Sequence, residues 1–165
     1  MDVAIIMGSD SDWKVMKKAV EVLKNFDVSF EVTVASAHRT PYKVQEFVNS
    51  CDAQDVKIFI AAAGCAAHLA GVISSYTTKP VIGVPIAAEP LKGLDALLST
   101  AQMPPGIPVA TMAINGAKNA AIFAVEILAL SSEKFRQKFD DYRADMVKEV
   151  EHKAEVIKTA VAEID

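Results

Sequence analysis

The sequence contains only two cysteines, Cys51 and Cys65, in 165 residues. They form neither a CxxC pair nor a metal-ligand spacing. That excludes a disulfide framework and points to a reducing compartment. Aromatic residues are scarce at 7 %, although 52 % of the chain is hydrophobic. The core must therefore consist of Ala, Val, Ile and Leu, a composition suited to a buried parallel sheet covered by helices. The net charge is -4 and no basic cluster is present, so the face that a nucleic-acid backbone requires is missing. Long apolar runs are missing too: Gly, Pro, His or Lys interrupts each one well short of the roughly 20 residues of a bilayer span. The first residues lack the charged start and cleavage site of a signal peptide. A soluble, cytoplasmic protein with no membrane or nucleic-acid partner is expected.

What is present is an alternation of two periodicities. Val3, Ala4, Ile5, Ile6 and Met7 form a short apolar run ended by Gly8, which reads as a buried strand. Trp13, Met16, Val20 and Leu23 follow at helical spacing within residues 12–25. Residues 30–35 alternate and are β-branched, which predicts a second strand. Residues 41–51 read as a helix with Thr40 as N-cap and Pro41 at its first position. Further strands are expected at 56–62, 80–85 and 107–113, and helices at 66–76, 93–101 and 117–130. Right-handed crossovers turn such a series into a three-layer α/β/α sandwich around a central parallel sheet.

The stretch from Ser131 onward has no Gly or Pro and many alternating charges. Phe135, Phe139, Tyr142, Met146, Val150, Ala154, Ile157 and Val161 fall three and four residues apart, which predicts one long amphipathic helix. At 1.5 Å per residue, about 30 residues would extend roughly 45 Å, longer than a domain of this size is wide. A single domain, 1–165, is expected, with an α/β core over 1–130. The helical extension, 131–165, is expected to pack partly on a neighbouring subunit. The run from Ala120 to Val125 is apolar on every face and needs cover all round, which also argues for a homo-oligomer.

Three junctions at the carboxyl ends of expected strands hold the candidate chemistry, where open α/β sheets bind ligands. The first is Gly8-Ser9-Asp10-Ser11-Asp12. Backbone N–H groups and serine hydroxyls at a helix start suit phosphate, and Asp12 suits ribose hydroxyls. An ordinary helix cap by Ser11 or Asp12 explains the same residues. The second is Ser36-Ala37-His38-Arg39-Thr40-Pro41. Arginine offers a planar fork of donors for phosphate, and histidine shuttles protons near neutral pH. A surface loop with Arg39 in an ion pair is the plainer account. The third runs from Ala61 to Gly71 and includes Gly64, Cys65, Ala67, His68 and Leu69. Its small residues allow close approach of backbone to ligand, or equally tight helix–sheet packing with His68 as a structural hydrogen-bonder. Cys65 reads as a small buried residue rather than a nucleophile. His152 lies in the charged tail. Three histidines without clustered carboxylates give no metal site.

Together these segments, with Gln102-Met103-Pro104-Pro105-Gly106-Ile107-Pro108-Val109 as a fourth, resemble the class I phosphoribosylaminoimidazole carboxylase catalytic subunit family, the 5-(carboxyamino)imidazole ribonucleotide mutases. The resemblance runs in the correct order from Val3 to about Leu130. It implies a flavodoxin-like fold and a homo-octamer with active sites at subunit junctions. It also implies no metal or organic cofactor, and a ribonucleotide substrate supplied by an ATP-dependent synthetase. Carried over by motif position, His38 is the catalytic acid–base and His68 accompanies it in the pocket. Ser9, Asp12 and Arg39 bind substrate. Ser11, Ser36 and Ala37 line the phosphate and ribose side, and Gly8, Gly64, Ala67 and Leu69 complete the binding set. Cys65 stands where the family usually has glycine, Ala70 where it has proline, and the segment 115–119 is shorter than usual. A second class of the family carboxylates aminoimidazole ribonucleotide directly with carbon dioxide. It carries a Ser-Asn pair near the place of Ala67-His68 and Lys in place of Arg39, so the resemblance favours the mutase class. The direct carboxylase is the alternative, and a flavin- or nucleotide-binding module is the competitor without catalysis.

Overall fold

The computed structural model describes residues 1–164. It divides into two compact units, Met1–Val125 and the segment from Glu126 on. The first unit holds five parallel strands: β1 (Val3–Met7), β2 (Phe30–Val34), β3 (Ile58–Gly64), β4 (Val81–Ile86) and β5 (Ala110–Thr111). Between them run α1 (Trp13–Asn25), α2 (Pro41–Ala53), α3 (Leu69–Tyr76) and α4 (Leu94–Ala101). The strand order is β2-β1-β3-β4-β5, all neighbours parallel. This is the flavodoxin-like order, with its topological switch between β1 and β3.

Alternation of side chains along the strands builds two cores. Ala4 and Ile6 of β1 and Phe59, Ala61 and Ala63 of β3 join Val44, Val48 and Cys51 of α2 and Leu69, Ala70 and Ile73 of α3 in one buried cluster. The intervening residues Val3, Ile5, Ile58 and Ile60 are also fully buried, as are Met16 and Leu23 of α1. Because β1 and β3 are covered on both faces, they read as continuous apolar runs. Right-handed crossovers place α1 on one face and α2, α3 and α4 on the other.

Several boundaries depart from the sequence expectation. β3 starts at Ile58 rather than residue 56, because the Val56 N–H closes the end of α2 on the Cys51 carbonyl at 3.1 Å. α3 starts at Leu69 rather than 66, because Cys65 adopts a left-handed backbone (φ 54°) and residues 65 and 66 form a turn. β5 has two residues rather than seven: only Ala110 and Thr111 pair, with Ile82 and Gly83 of β4. Pro108 lacks an N–H for a ladder, and its carbonyl accepts the Ser74 hydroxyl at 2.8 Å instead.

α5 (Ala117–Ala129) crosses the boundary between the two units. Its Ala120, Ala121, Ala124 and Val125 are fully buried, whereas Ile122 and Phe123 are half-buried. α6 (Glu133–Ala162) is the expected long helix of 30 residues. Arg143 bonds Glu126 at 3.1 Å within the second unit. Along α6 the apolar residues Val150, Ile157 and Val161 are each more than 60 % exposed. Among the described residues, no helix is long and apolar enough to cross a membrane.

Candidate active site

The first loop is tied to the end of β3: the Gly8 N–H donates to the Ala62 carbonyl at 2.9 Å. Ser9 then caps a single 3-10 turn, Asp10–Asp12, that precedes α1. The Ser11 N–H donates to Ser9 Oγ at 3.3 Å, and the Ser9 N–H donates to Asp12 Oδ2 at 3.1 Å, a reciprocal capping box. The cap is thus Ser9 rather than Ser11 or Asp12, because the extra turn moves the start of the helical segment toward β1. Asp12 occupies the N-cap position of α1 without a cap bond of its own. Its carboxyl is buried, and burial raises its pKa above the usual aspartate value, against the lowering effect of bonds from Ser9 and Ser11.

The second loop folds back on itself. The Ser36 N–H donates to Thr40 Oγ1 at 3.0 Å, and the Arg39 N–H donates to Ser36 Oγ at 3.2 Å. Thr40 stands at the N-cap position of α2, yet its hydroxyl serves Ser36 and makes no cap bond to the helix. Arg39 Nη2 donates to the Gly8 carbonyl at 3.2 Å and Nε to Ser36 Oγ at 3.4 Å. The guanidinium therefore spans the first and second loops. Those two bonds use two of its five N–H donors. His38 is exposed beside it.

The third loop leaves β3 at Gly64. Cys65 is exposed, which corrects the expectation that it is buried: the late start of α3 leaves it on the turn. His68 is half-buried, with Nδ1 2.7 Å from the Ser99 carbonyl on α4. A carbonyl only accepts, so Nδ1 carries a hydrogen. The Ser99 hydroxyl lies 3.3 Å from the Ala67 carbonyl, which it can reach as donor.

These loops enclose a cavity of about 490 Å³ at the carboxyl ends of β1 to β4. Gly8, Ser9, Ser11 and Asp12 line it from the first loop, Ser36, Ala37, His38 and Arg39 from the second, and Gly64, Ala67 and Leu69 from the third. Of the twelve residues that the resemblance assigns to the site, only His68 lies off the lining: its ring is turned toward α3 and α4. The cavity also takes in Ala63, Cys65 and a fourth segment, Ile86, Ala87 and Ala88, at the exit of β4. That segment carries no polar signal. The rule that ligands bind at strand exits would have found it. A second hollow of about 370 Å³ shares Gly8, Ser9, Ser36 and Arg39 with the first and adds Lys43.

Serine hydroxyls and an arginine on one side, an exposed histidine beside them and an apolar wall on the other suit an anionic ligand. The chain is similar to known proteins over nearly its whole length. Residues 2–149 match the AIR carboxylase family. The N5-carboxyaminoimidazole ribonucleotide mutase of Methanocaldococcus jannaschii is 57 % identical over 156 residues, which span 94 % of this chain and 97 % of that protein. Its counterpart from Pyrococcus abyssi is 54 % identical, over 87 % of this chain and 83 % of that one. The crystal structure of Treponema denticola PurE superposes with a TM-score of 0.87 at 27 % identity, covering 94 % of this chain and 98 % of that chain. With the sheet order, the cavity and the match over nearly its whole length in agreement, the chain belongs to the AIR carboxylase family.

Proposed function

We propose that the protein is an N5-carboxyaminoimidazole ribonucleotide mutase of purine biosynthesis, an isomerase that moves a carboxylate from the exocyclic nitrogen to carbon 4 of the imidazole. The observation that carries this reading is the 57 % identity to a mutase over nearly the full length of both chains. The convergence of His38, Arg39, Ser9 and Asp12 on one cavity supports it.

In this reading Arg39 and the Ser9 loop hold the phosphate, with Ser11, Ser36 and Ala37 beside it, and Asp12 accepts from the ribose hydroxyls. The carbamate C–N bond breaks, its electron pair returns to nitrogen, and the nitrogen takes up a proton. The released carbon dioxide stays against the apolar wall of Gly64, Ala67 and Ala88, where exclusion of water and fixed proximity favour its recapture. Carbon 4 attacks it, and His38 removes the proton from that carbon to restore aromaticity. General-base catalysis of this kind is worth about 10²–10⁴-fold. Proton uptake at nitrogen and release at carbon balance, so ATP is not consumed. His68 serves as a positioning residue in this scheme, since its ring faces α4.

The exposed apolar residues of α6 support assembly into a homo-oligomer, an octamer by family resemblance, acting in the cytoplasm downstream of an ATP-dependent synthetase. Sedimentation of the full chain tests the assembly. The reaction is tested with substrate labelled at the carbamate carbon, excess unlabelled bicarbonate and no ATP. Label retained in the carbon-4 carboxylate supports the mutase. Product carrying only unlabelled carbon identifies a direct carboxylase, and no product leaves a binding module.

A further inference from the structure

The fourth wall of the cavity, Ala87 and Ala88, is apolar and short, and it follows β4 without a helix to hold it. What fixes it comes from the far edge of the sheet. Asn115, in the turn between β5 and α5, donates its backbone N–H to the Pro85 carbonyl at 2.8 Å. Its side-chain Oδ1 accepts the Ala87 N–H at 2.9 Å. Asn115 thus grips the β4 exit at two points, two residues apart. Its left-handed backbone (φ 59°) directs both groups toward β4, a conformation that asparagine tolerates better than most residues. On the other side Gly93 closes in: a Cβ there would stand 3.0 Å from Ala87 Cα and 2.8 Å from the Ile114 side chain. Ala87 is held between them. Gly64 faces the β4 exit at Ile86 and the next residue, Ala88: a Cβ at position 64 would lie 3.4 Å from the Ile86 carbonyl and 3.5 Å from Ala88 Cβ.

We propose that Asn115 is a positioning residue for the reaction: through the Ala87 N–H it sets the Ala88 wall against Gly64, and so closes the space in which released carbon dioxide is retained. The proposal rests on the mutase reading above. Without the Oδ1 acceptor, the Ala87 N–H turns to water and the segment loosens. A site that has to keep a small neutral molecule beside carbon 4 then leaks. Partition is the specific consequence: carbon dioxide escapes more often before recapture, and bicarbonate-derived carbon appears in the product.

The test compares the parent protein with Asn115→Gly and Asn115→Asp. Glycine keeps the left-handed backbone and the bond to Pro85 but removes the acceptor. Aspartate keeps an acceptor oxygen at the same place. Thermal unfolding establishes that each variant is folded. The readouts are kcat, KM and the fraction of carbamate label retained against unlabelled bicarbonate. The expected result for Asn115→Gly is a loss of kcat on the order of a hundredfold, the scale of a misplaced group at a reacting centre, together with lower label retention and little change in KM. Asn115→Asp should recover most of both. Unchanged retention and kcat in Asn115→Gly overturn the proposal. So does an Asn115→Asp variant no better than glycine, because the acceptor is then not what matters. If the parent itself retains no label, the mutase reading fails first, and that outcome is distinct from a failure confined to the variants.

Discussion

The imidazole of His68 occupies the space that a side chain at Gly71 would need: a Cβ built at position 71 would stand 2.2 Å from His68 Nε2. The ring lies across the first turn of α3 and reaches the Ser99 carbonyl at 2.7 Å. Of the two readings the sequence leaves open for His68, the structural hydrogen-bonder describes this ring, which is built into the joint between α3, α4 and the third loop.

That joint predicts a change of sign. Gly71→Ala in the parent should destabilise by about 1–3 kcal/mol, the usual cost of overpacking. In a His68→Ala background the same substitution should be neutral or stabilising by up to about 1 kcal/mol, since alanine is the better helix residue once the ring is gone. Denaturant unfolding of the two single variants and the double variant measures the coupling. Additive effects would show that the ring and the glycine do not share this space.

His38→Asn should abolish turnover while substrate affinity, read by calorimetry, stays within a few-fold of the parent. Arg39→Ala should do the reverse in emphasis, weakening binding of the phosphorylated substrate and of inorganic phosphate alike. Full activity in His38→Asn would remove the histidine from its assigned role.

Asp12 makes stability depend on pH in a definite direction. Its carboxyl titrates above the ordinary aspartate value in the fold, chiefly because it is buried. The folded state then binds more protons than the unfolded state between the ordinary and the raised value, so stability declines as pH rises through that window. Asp12→Asn lacks the titration. Its stability relative to the parent should climb across the window and level off above it, as followed by unfolding midpoints. A flat difference would show that Asp12 is not desolvated.

The two cysteines should separate cleanly. Burial, aided by Glu31 and Asp52, pushes the Cys51 thiol up to about 11, while Cys65 is exposed on the cavity lining. Iodoacetamide at mildly alkaline pH should alkylate Cys65 in the native protein and reach Cys51 only after denaturation. Modification should block turnover, and Cys65→Gly should be resistant to it. Mass spectrometry of the labelled peptides decides; equal labelling of Cys51 in the native state would contradict its burial.

Much of this architecture was legible from hydrophobic period alone. Val3 to Met7 and the segment around Ile60 are buried on both faces, and Pro41 marks the start of α2 where it was expected. Eleven of the twelve residues named for the site line the cavity, because chemistry-bearing residues at strand exits converge wherever the strands are parallel neighbours. The failures share a cause. β5 was overextended because Ile107 to Ala113 is apolar, but the neighbouring β4 offers partners only at Ile82 and Gly83. The sequence leaves His68 between a pocket residue and a structural hydrogen-bonder, because nothing in it announces the Ser99 carbonyl, 31 residues away. Ala87 and Ala88 were missed because a wall that only excludes water needs no polar side chain.

The unequal edges of the sheet bear on how copies of this chain can meet. One edge strand, β5, is two residues long, and the other, β2, carries Glu31 exposed along its length. Neither offers the long, uncharged row of free N–H and C=O groups that templates strand addition. Under thermal or acid stress the folded chain should therefore resist fibre growth by edge-to-edge stacking. Dye-binding fibrils should appear only after global unfolding has exposed the apolar runs of β1 and β3.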